Sequence, residues 1–140
     1  YGCLETPFNI PYLVASAVKL VVAQRLLRKI CPDCEEEVSL DQAEQEDLTQ
    51  SSLAMLEHLW HGRGCDRCNR IGYFGRNPVY EVMSIKSKDM KRVITEGGTE
   101  IQVAQIARRE GMRSLKDEAL RLVNEGVTAL EEALDLIMSE

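Results

Sequence analysis

The sequence predicts a mainly α-helical fold with a small β element, in which a cysteine-rich module lies between an N-terminal helix and a C-terminal helical bundle. Three observations lead to this class. Apolar residues recur at helical spacing over residues 11–30. A short run of β-forming side chains occurs at residues 79–83. After residue 86, helix-start signals follow one another to the end of the chain.

The composition is that of a globular protein. The 140 residues carry a formal net charge of −6, and 44% of them are hydrophobic. Because only 5% are aromatic, aliphatic side chains must fill most of the core. The negative charge disfavours binding to nucleic acid, whose phosphates repel an acidic protein. The longest apolar stretch, residues 13–23, contains Lys19 and is too short to cross a bilayer, so a cytoplasmic protein is expected.

Residues 11–30 are predicted to form one long amphipathic helix. Pro11 suits the first turn of a helix, because its missing N–H would have no partner there. Basic side chains near the end would oppose the negative end of the helix dipole. They are Arg25, Arg28 and Lys29.

Two short helices and one strand are predicted in the middle of the chain. Ser39 and Gln42 are spaced as a capping box, in which each side chain bonds the backbone N–H of the other residue. A helix is therefore expected to begin at Ser39, and a second short helix is predicted over residues 52–61. Residues 79–83 are rich in β-forming side chains and alternate weakly, so they are predicted as one strand.

Four short helices are predicted after that strand. The first covers residues 87–95 and is ended by two glycines at positions 97 and 98. The other three begin at capping-box pairs. These pairs are Thr99 with Gln102, Ser114 with Asp117, and Thr128 with Glu131. Helices with such clear ends predict a small bundle. The chain is therefore predicted to divide into residues 1–30, 31–76 and 77–140.

Two cysteine pairs, separated by thirty residues, predict a metal site. Cys31 and Cys34 have two residues between them, and so do Cys65 and Cys68. That spacing lets each turn direct two sulfur atoms at one tetrahedral centre. The two turns together would form a closed four-sulfur site without an open position for substrate or water. The predicted metal is therefore a structural Zn²⁺.

The residues alone leave three other readings of these cysteines open. Disulfides are typical of secreted proteins, and the sequence has no secretory signal pattern. A redox dithiol needs only one cysteine pair and a βαβ context. An iron–sulfur cluster uses the same ligands, but at other familiar spacings.

Other reactive side chains receive structural interpretations. His58 and His61 precede the second cysteine pair and are read as surface or neighbouring residues, because four cysteines already fill the coordination shell. Cys3 is predicted only to pack. Four arginines around the second pair, with Tyr73 and Phe74 among them, would suit a small nucleic-acid platform, but against the negative net charge the favoured interpretation is that they compensate nearby negative charge. They are Arg63, Arg67, Arg70 and Arg76.

Several segments together resemble the type II secretion and type IV pilus assembly ATPases. Residues 23–34, Ala-Gln-Arg-Leu-Leu-Arg-Lys-Ile-Cys-Pro-Asp-Cys, are similar to the stretch that leads into the first cysteine pair of that family. Residues 64–76 resemble the second half of its tetracysteine motif and are followed by Tyr-Glu-Val at 80–82. Residues 111–115 and 126–132 match its C-terminal tail. The resemblance covers nearly the whole chain.

The resemblance implies a hexameric cytoplasmic ATPase, docked at the inner membrane, whose subunit rotations power pseudopilin or pilin assembly. Its cofactors would be structural Zn²⁺ on the four cysteines, and ATP with Mg²⁺ in the parent protein. Its partners would be other subunits of the ATPase ring and inner-membrane components of the secretion or pilus platform, with no nucleic acid. Residues 1–30 would then be the tail of the ATPase core.

The chain itself is expected to be a structural and subunit-contact portion of that parent. It begins at Tyr1 and contains no Gly-x-x-x-x-Gly-Lys-Ser/Thr phosphate loop, so we predict no catalytic residue and no activity of the fragment alone. Gln24 and Arg25 match a family signature, and whether they approach nucleotide is left open. The alternative functions are a stand-alone zinc-ribbon-like adaptor for protein partners and a zinc-dependent nucleic-acid binder. The isolated fragment is expected to self-associate or to be marginally stable without zinc.

Overall fold

The structure is a computed structural model that describes residues 10–38 and 56–139 of the chain. Five helices and four strands form in this part of the chain. The helices are α1 Ile10–Ala17, α2 Lys88–Thr95, α3 Glu100–Arg109, α4 Leu115–Asn124 and α5 Leu130–Met138. The strands are β1 Leu20–Ile30, β2 Glu35–Val38, β3 Leu59–Gly62 and β4 Tyr73–Ser84. Within the described residues, no helix has the length and apolar character needed to cross a lipid bilayer.

The long N-terminal helix predicted over residues 11–30 is wrong beyond Ala17. Helix α1 ends there, and the chain continues as strand β1. β1 pairs with β4. The backbone bonds at its two ends, from Ile85 N–H to Lys19 O and from Cys31 N–H to Gly72 O, show that the two strands run antiparallel. Adjacent apolar pairs in the sequence fit a helical pattern as well as an extended one, so the distant partner strand decides the conformation.

Strand β4 confirms the strand predicted at residues 79–83 and extends it in both directions to 12 residues. From residue 79 to residue 83, its side chains alternate between more buried and more exposed positions. Val79 and Met83 are buried, whereas Tyr80 and Val82 are exposed. This is the period-2 pattern of a strand that packs against the core on one face.

The helix predicted over residues 52–61 is wrong at its C-terminal end, because that part of the chain forms β3. β3 pairs antiparallel with β2, and Val38 and Leu59 are register partners at one end of the ladder. Ladder bonds to β2 thus replace the intrahelical bonds that the sequence pattern favours. The short helix predicted to begin at Ser39 lies outside the described residues.

The helix-start signals of α2 and α3 are confirmed. The Ser87 hydroxyl accepts a hydrogen bond from the Met90 N–H at 3.0 Å. Thr99 and Gln102 form the predicted capping box, in which the Thr99 hydroxyl accepts from the Gln102 N–H and the Gln102 amide oxygen accepts from the Thr99 N–H. Each cap satisfies N–H groups that the first helical turn leaves without a partner.

The capping box predicted at Thr128 is wrong. The residue that caps α5 is Ala129, which makes no side-chain cap bond. The Thr128 hydroxyl is buried and donates to the Arg28 carbonyl at 2.8 Å. The Glu131 carboxylate accepts a hydrogen bond from the Tyr73 hydroxyl. Thr128 thus bonds a residue 100 positions earlier, and Glu131 bonds a residue 58 positions earlier. A local sequence pattern cannot reveal such partners.

The chain divides into two units. The first contains the described residues 10–23 and 80–114, with a core of Met83, Ile85, Met90, Val103 and Ala107. The second contains residues 24–38, 56–79 and 115–139. Helices α2 and α3 belong to the first unit and α4 and α5 to the second, so the single C-terminal bundle predicted from the sequence is not confirmed.

Candidate metal centre

The four predicted cysteine ligands come together in the second unit. Cys31 and Cys34 lie in the turn between β1 and β2, and Cys65 and Cys68 lie between β3 and β4. All four Sγ atoms lie within 4.8 Å of one another. The pairing of β2 with β3 brings the two turns together, because each strand joins directly to one of them.

The distances between the sulfur atoms fit one tetrahedral ion. Sγ of Cys65 lies 3.7 Å from Sγ of Cys31 and 3.7 Å from Sγ of Cys68, and Sγ of Cys34 lies 3.9 Å from Sγ of Cys68. A tetrahedral Zn²⁺ bound to sulfur at about 2.3 Å requires sulfur atoms about 3.8 Å apart. A disulfide would need about 2.05 Å, and the four thiols are free. Four soft sulfur donors in this arrangement could hold a metal ion.

Backbone N–H groups donate hydrogen bonds to two of the sulfur atoms. Sγ of Cys68 accepts from the N–H groups of Cys65 at 3.2 Å and of Gly72 at 3.3 Å, and Sγ of Cys34 accepts from the Gly64 N–H at 3.3 Å. Such donors stabilise the thiolate form, which is the form that binds metals.

These contacts separate the pKa values of the two thiols. Burial acts to raise the pKa of Cys68, but the two backbone donors together with the Cys65 and Cys34 side chains outweigh burial, and the pKa is lowered to about 6. Burial raises the pKa of Cys34 to about 12, although the Gly64 N–H opposes that change. A bound dication would favour the thiolate at every position, as metal sites do.

The backbone around the second turn is tightly packed. Asn69 and Arg70 both adopt positive φ values, of 52° and 65°. The Arg70 N–H donates to the Cys65 carbonyl at 2.9 Å and so closes the turn. Gly72 also has a positive φ, of 84°, and a Cβ atom added to it would overlap the carbonyl oxygen of Gly62. A residue without a side chain is therefore required where β3 passes the start of β4.

The site is closed to solvent on most sides. Cys31, Cys34 and Cys68 are buried, and Cys65 is half-buried. Four protein ligands would complete a tetrahedral shell, so a bound metal would have no position for substrate or activated water. The arrangement is chemically suited to holding structure together.

The two histidines make contacts away from the cysteine cluster. His58 Nδ1 lies 2.8 Å from the carboxylate of Glu37, and His61 Nε2 lies 3.4 Å from that of Glu36. Both rings are about half exposed. Among the described residues, the cysteines form the one group with metal-ligand geometry, and neither histidine belongs to it. Cys3 lies outside the described residues.

Three of the four arginines considered as a nucleic-acid platform form ion pairs. Arg63 lies 3.1 Å from Glu36, Arg67 lies 2.9 Å from Asp33, and Arg70 lies 2.7 Å from Asp66. The Arg67 guanidinium also stacks over the Phe74 ring at 4.8 Å. Local acidic side chains thus compensate these charges, as the structural interpretation of the arginines predicted.

An ion-pair cluster around Arg28 is a feature that the sequence reasoning missed. Arg28 Nη2 lies 2.6 Å from the Glu132 carboxylate, and its guanidinium stacks over the Tyr73 ring at 4.2 Å. The Glu132 carboxylate raises the pKa of Arg28. Burial and the Glu131 carboxylate raise the pKa of Tyr73. No sequence signal pairs Arg28 with Glu132, which lies 104 positions later.

Gln24 and Arg25 lie on β1 and not on a helix. Both side chains are exposed, and Arg25 Nη1 donates to the Gln24 carbonyl at 3.3 Å.

Known proteins resemble this chain along most of its length. Residues 6–135 match the family described as Type II/IV secretion system protein. Type IV pilus assembly ATPase TfpB of Acinetobacter baylyi is 35% identical over 91% of this chain and 22% of its own length. Type II secretion system ATPase E of Vibrio cholerae serotype O1 is 34% identical over 89% of this chain and 24% of its own length. Type IV pilus assembly ATPase PilB of Thermus thermophilus is 34% identical over 89% of this chain and 14% of its own length.

The chain thus spans less than a quarter of the length of each of these curated relatives. The matched region contains both cysteine pairs and the segments on which the predicted resemblance rests, and that prediction is confirmed. The chain belongs to the type II/IV secretion system protein family.

Proposed function

We propose that this chain is the metal-stapled C-terminal portion of an ATPase that powers type II protein secretion or type IV pilus assembly. The relatives that match it carry these names, and the match leaves most of their length unaccounted for by this chain. Within such a parent, this portion has a structural and subunit-contact role. The division into residues 1–30, 31–76 and 77–140 stays part of this proposal.

The metal role is carried by one observation, the tetrahedral arrangement of the four cysteine sulfur atoms. Cys31, Cys34, Cys65 and Cys68 would hold a structural Zn²⁺, which supplies only a crosslink between two turns that are distant in sequence. Metal binding of this type contributes on the order of 10 kcal/mol in small zinc-folded peptides. A contribution of that size would dominate the folding of the strands around the site.

ATP and Mg²⁺ belong to the parent protein in this proposal. The sequence has no phosphate-loop pattern, so this chain alone would neither bind ATP tightly nor hydrolyse it. The partners would be neighbouring subunits of an ATPase ring and the inner-membrane components of a secretion or pilus platform. The location would be the cytoplasmic face of that membrane.

Elemental analysis of protein purified without chelators tests the metal role. We expect about one zinc and no iron per chain, because a closed four-cysteine shell is typical of structural zinc sites and iron–sulfur clusters use other cysteine spacings. The Cys68→Ser variant should lose the metal, since an uncharged hydroxyl is a poor zinc ligand. Cys3→Ser is the matched control and should keep it. Metal-free wild-type protein would contradict the proposal.

An ATP hydrolysis assay tests the enzyme assignment. The parent protein should hydrolyse ATP with Mg²⁺, and this chain alone should show no turnover above the buffer blank. Turnover by the purified chain would mean that it contains a nucleotide site of its own, and the proposed structural role would then be wrong.

A further inference from the structure

A segment that we call the hook, residues 124–132, lies against the strands that enter and leave the cysteine turns. Its Asn124 side chain accepts a hydrogen bond from the Glu57 N–H at 2.9 Å. A Cβ atom added to Gly126 would lie 3.3 Å from ring atoms of Trp60, so the hook backbone contacts the indole directly. The hook therefore touches β3 and the residues just before it.

Arg28 on β1 anchors the other end of the hook. Its N–H donates to the Glu132 carboxylate at 3.0 Å, and its Nε donates to the same carboxylate at 2.8 Å. Its carbonyl accepts from the Thr128 hydroxyl. The Glu132 side chain is only 11% exposed, so solvent screens this charged contact less than an ordinary surface pair.

The two residues at the end of β1 and the start of the first cysteine turn, Ile30 and Cys31, connect the hook to the cysteine turns. The Ile30 N–H donates to the Val127 carbonyl of the hook at 2.9 Å. The next residue, Cys31, donates its N–H to the Gly72 carbonyl, and the Gly72 N–H donates to Sγ of Cys68. A chain of adjacent hydrogen bonds thus joins the hook to both cysteine turns.

We propose that metal occupancy of the four-cysteine site controls whether the hook and helix α5 are docked. This inference rests on the proposed metal site. Without a cation, the four cysteine side chains attract one another only weakly, and the strand ends that carry the partners of the hook are no longer held together. Release of α5 would expose Ala133 and Leu136, which are buried in the docked state. The metal therefore acts as a latch on the end of the chain.

Amide hydrogen exchange with and without a chelator tests this latch. The N–H groups of Arg28 and Ile30 are direct reporters, because their acceptors belong to the hook. With zinc removed, we expect exchange at these two amides and along α5 to increase at least ~10-fold. Exchange along α2 and α3, in the first unit, should stay unchanged. Trp60, the one tryptophan of the sequence, provides a second signal through its fluorescence.

The outcomes separate the latch from the metal site. Bound zinc whose removal leaves the hook amides protected would overturn the latch and leave the metal site intact. Faster exchange everywhere would overturn it as well, because the metal would then hold the whole chain and not its end. Protein that binds no zinc at all would overturn both proposals.

A substitution tests the hook from its other side. Arg28→Lys keeps the charge but loses the two-point contact with Glu132. We expect ~10-fold faster exchange along α5 with zinc content unchanged. Arg121→Lys is the matched control, because Arg121 also forms ion pairs through its guanidinium, but with Glu118 and Glu125, within α4 and at its end. Equal protection in both variants would overturn the assignment of Arg28 as the anchor.

Discussion

Gly72 shows how a single residue can determine the geometry of the cysteine site. It lies where the second cysteine turn enters β4, with its carbonyl accepting from Cys31 and its N–H donating to Cys68. Its positive φ and its proximity to Gly62 both exclude a side chain. The position thus combines a conformational requirement with a steric one.

Replacement of Gly72 by alanine should separate these two requirements. We expect Gly72→Ala to lower the free energy of unfolding by at least about 3 kcal/mol, because left-handed strain is joined by overlap with backbone. Gly111→Ala is the control, since Gly111 has a φ of 96° with no atom within 4 Å of an added Cβ. It should cost about 1 kcal/mol. Urea unfolding monitored by circular dichroism measures both, and equal losses would contradict the steric argument.

At this scale, the sequence predicted which four cysteines come together and missed their surroundings. The spacing within Cys31–Cys34 and Cys65–Cys68 predicts each local turn, but the β2–β3 pairing that brings the two turns together was not predicted. The contact of Arg28 with Glu132 could not be predicted, because it joins residues from opposite ends of the chain. Arg28 was interpreted as a partner of the helix dipole because residues 11–30 were predicted as one helix, whereas Arg28 lies on strand β1.

At the scale of the elements, the predicted helix caps can be compared directly with the hydrogen bonds in the structure. The box at Thr99 is confirmed because all its partners lie within three residues. The box at Thr128 is wrong because strand β1 offers its hydroxyl a carbonyl acceptor that local sequence does not show. The capping pattern therefore indicates where a helix can begin, while tertiary contacts decide whether the cap forms.

The Thr99 cap gives a prediction for helix α3. Thr99→Ala should lower the free energy of unfolding by about 1 kcal/mol, since it removes an acceptor for an N–H of the first turn. Thr95→Ala is the matched control. The Thr95 hydroxyl donates to the Lys91 carbonyl within α2, and its loss should change stability by less than about 0.5 kcal/mol. Chemical denaturation measures the difference, and an equal effect of the two variants would count against the cap.

Strand β1 shows the limit of pattern reading for a whole element. Its apolar residues recur at spacings that fit a helix, but its backbone bonds go to β4, more than forty residues later in the chain. The two strands that pair here lie on opposite sides of the cysteine region in the sequence, so the residues of β1 alone do not determine its conformation. The short strand predicted within β4 was the one local sign that such a partner existed.

At the scale of the molecule, the sequence predicted the family and the four helices after residue 86, but not how these helices are grouped. Helices α2 to α5 lie where local start and stop signals predict helices, although the cap predicted for α5 does not form. Their distribution over two units depends on which strands and helices they contact, and no local signal encodes that. The family resemblance was predictable because it rests on ordered motifs along nearly the entire chain.

Zinc removal should lower the stability of the molecule and promote association. Leu20, Val22, Tyr80 and Val82 are exposed apolar residues of the first unit, and chelation would add the apolar face of α5 in the second. We expect a lower melting temperature and earlier elution from a size-exclusion column after treatment with a strong chelator. Added zinc should reverse both changes. An unchanged monomer with an unchanged melting curve would contradict this prediction.

The register of the β2–β3 hairpin has a consequence for how such centres are found in genomes. Val38 and Leu59 are opposite one another, so the intervening spacer leaves and re-enters the hairpin at neighbouring backbone positions. A two-residue reverse turn can close the same gap. Provided that Leu56, which is buried, and Glu57, which contacts Asn124, are kept, the length of the spacer can then differ between relatives without moving a sulfur atom. Searches that demand a fixed count between the two cysteine pairs would overlook equivalent centres.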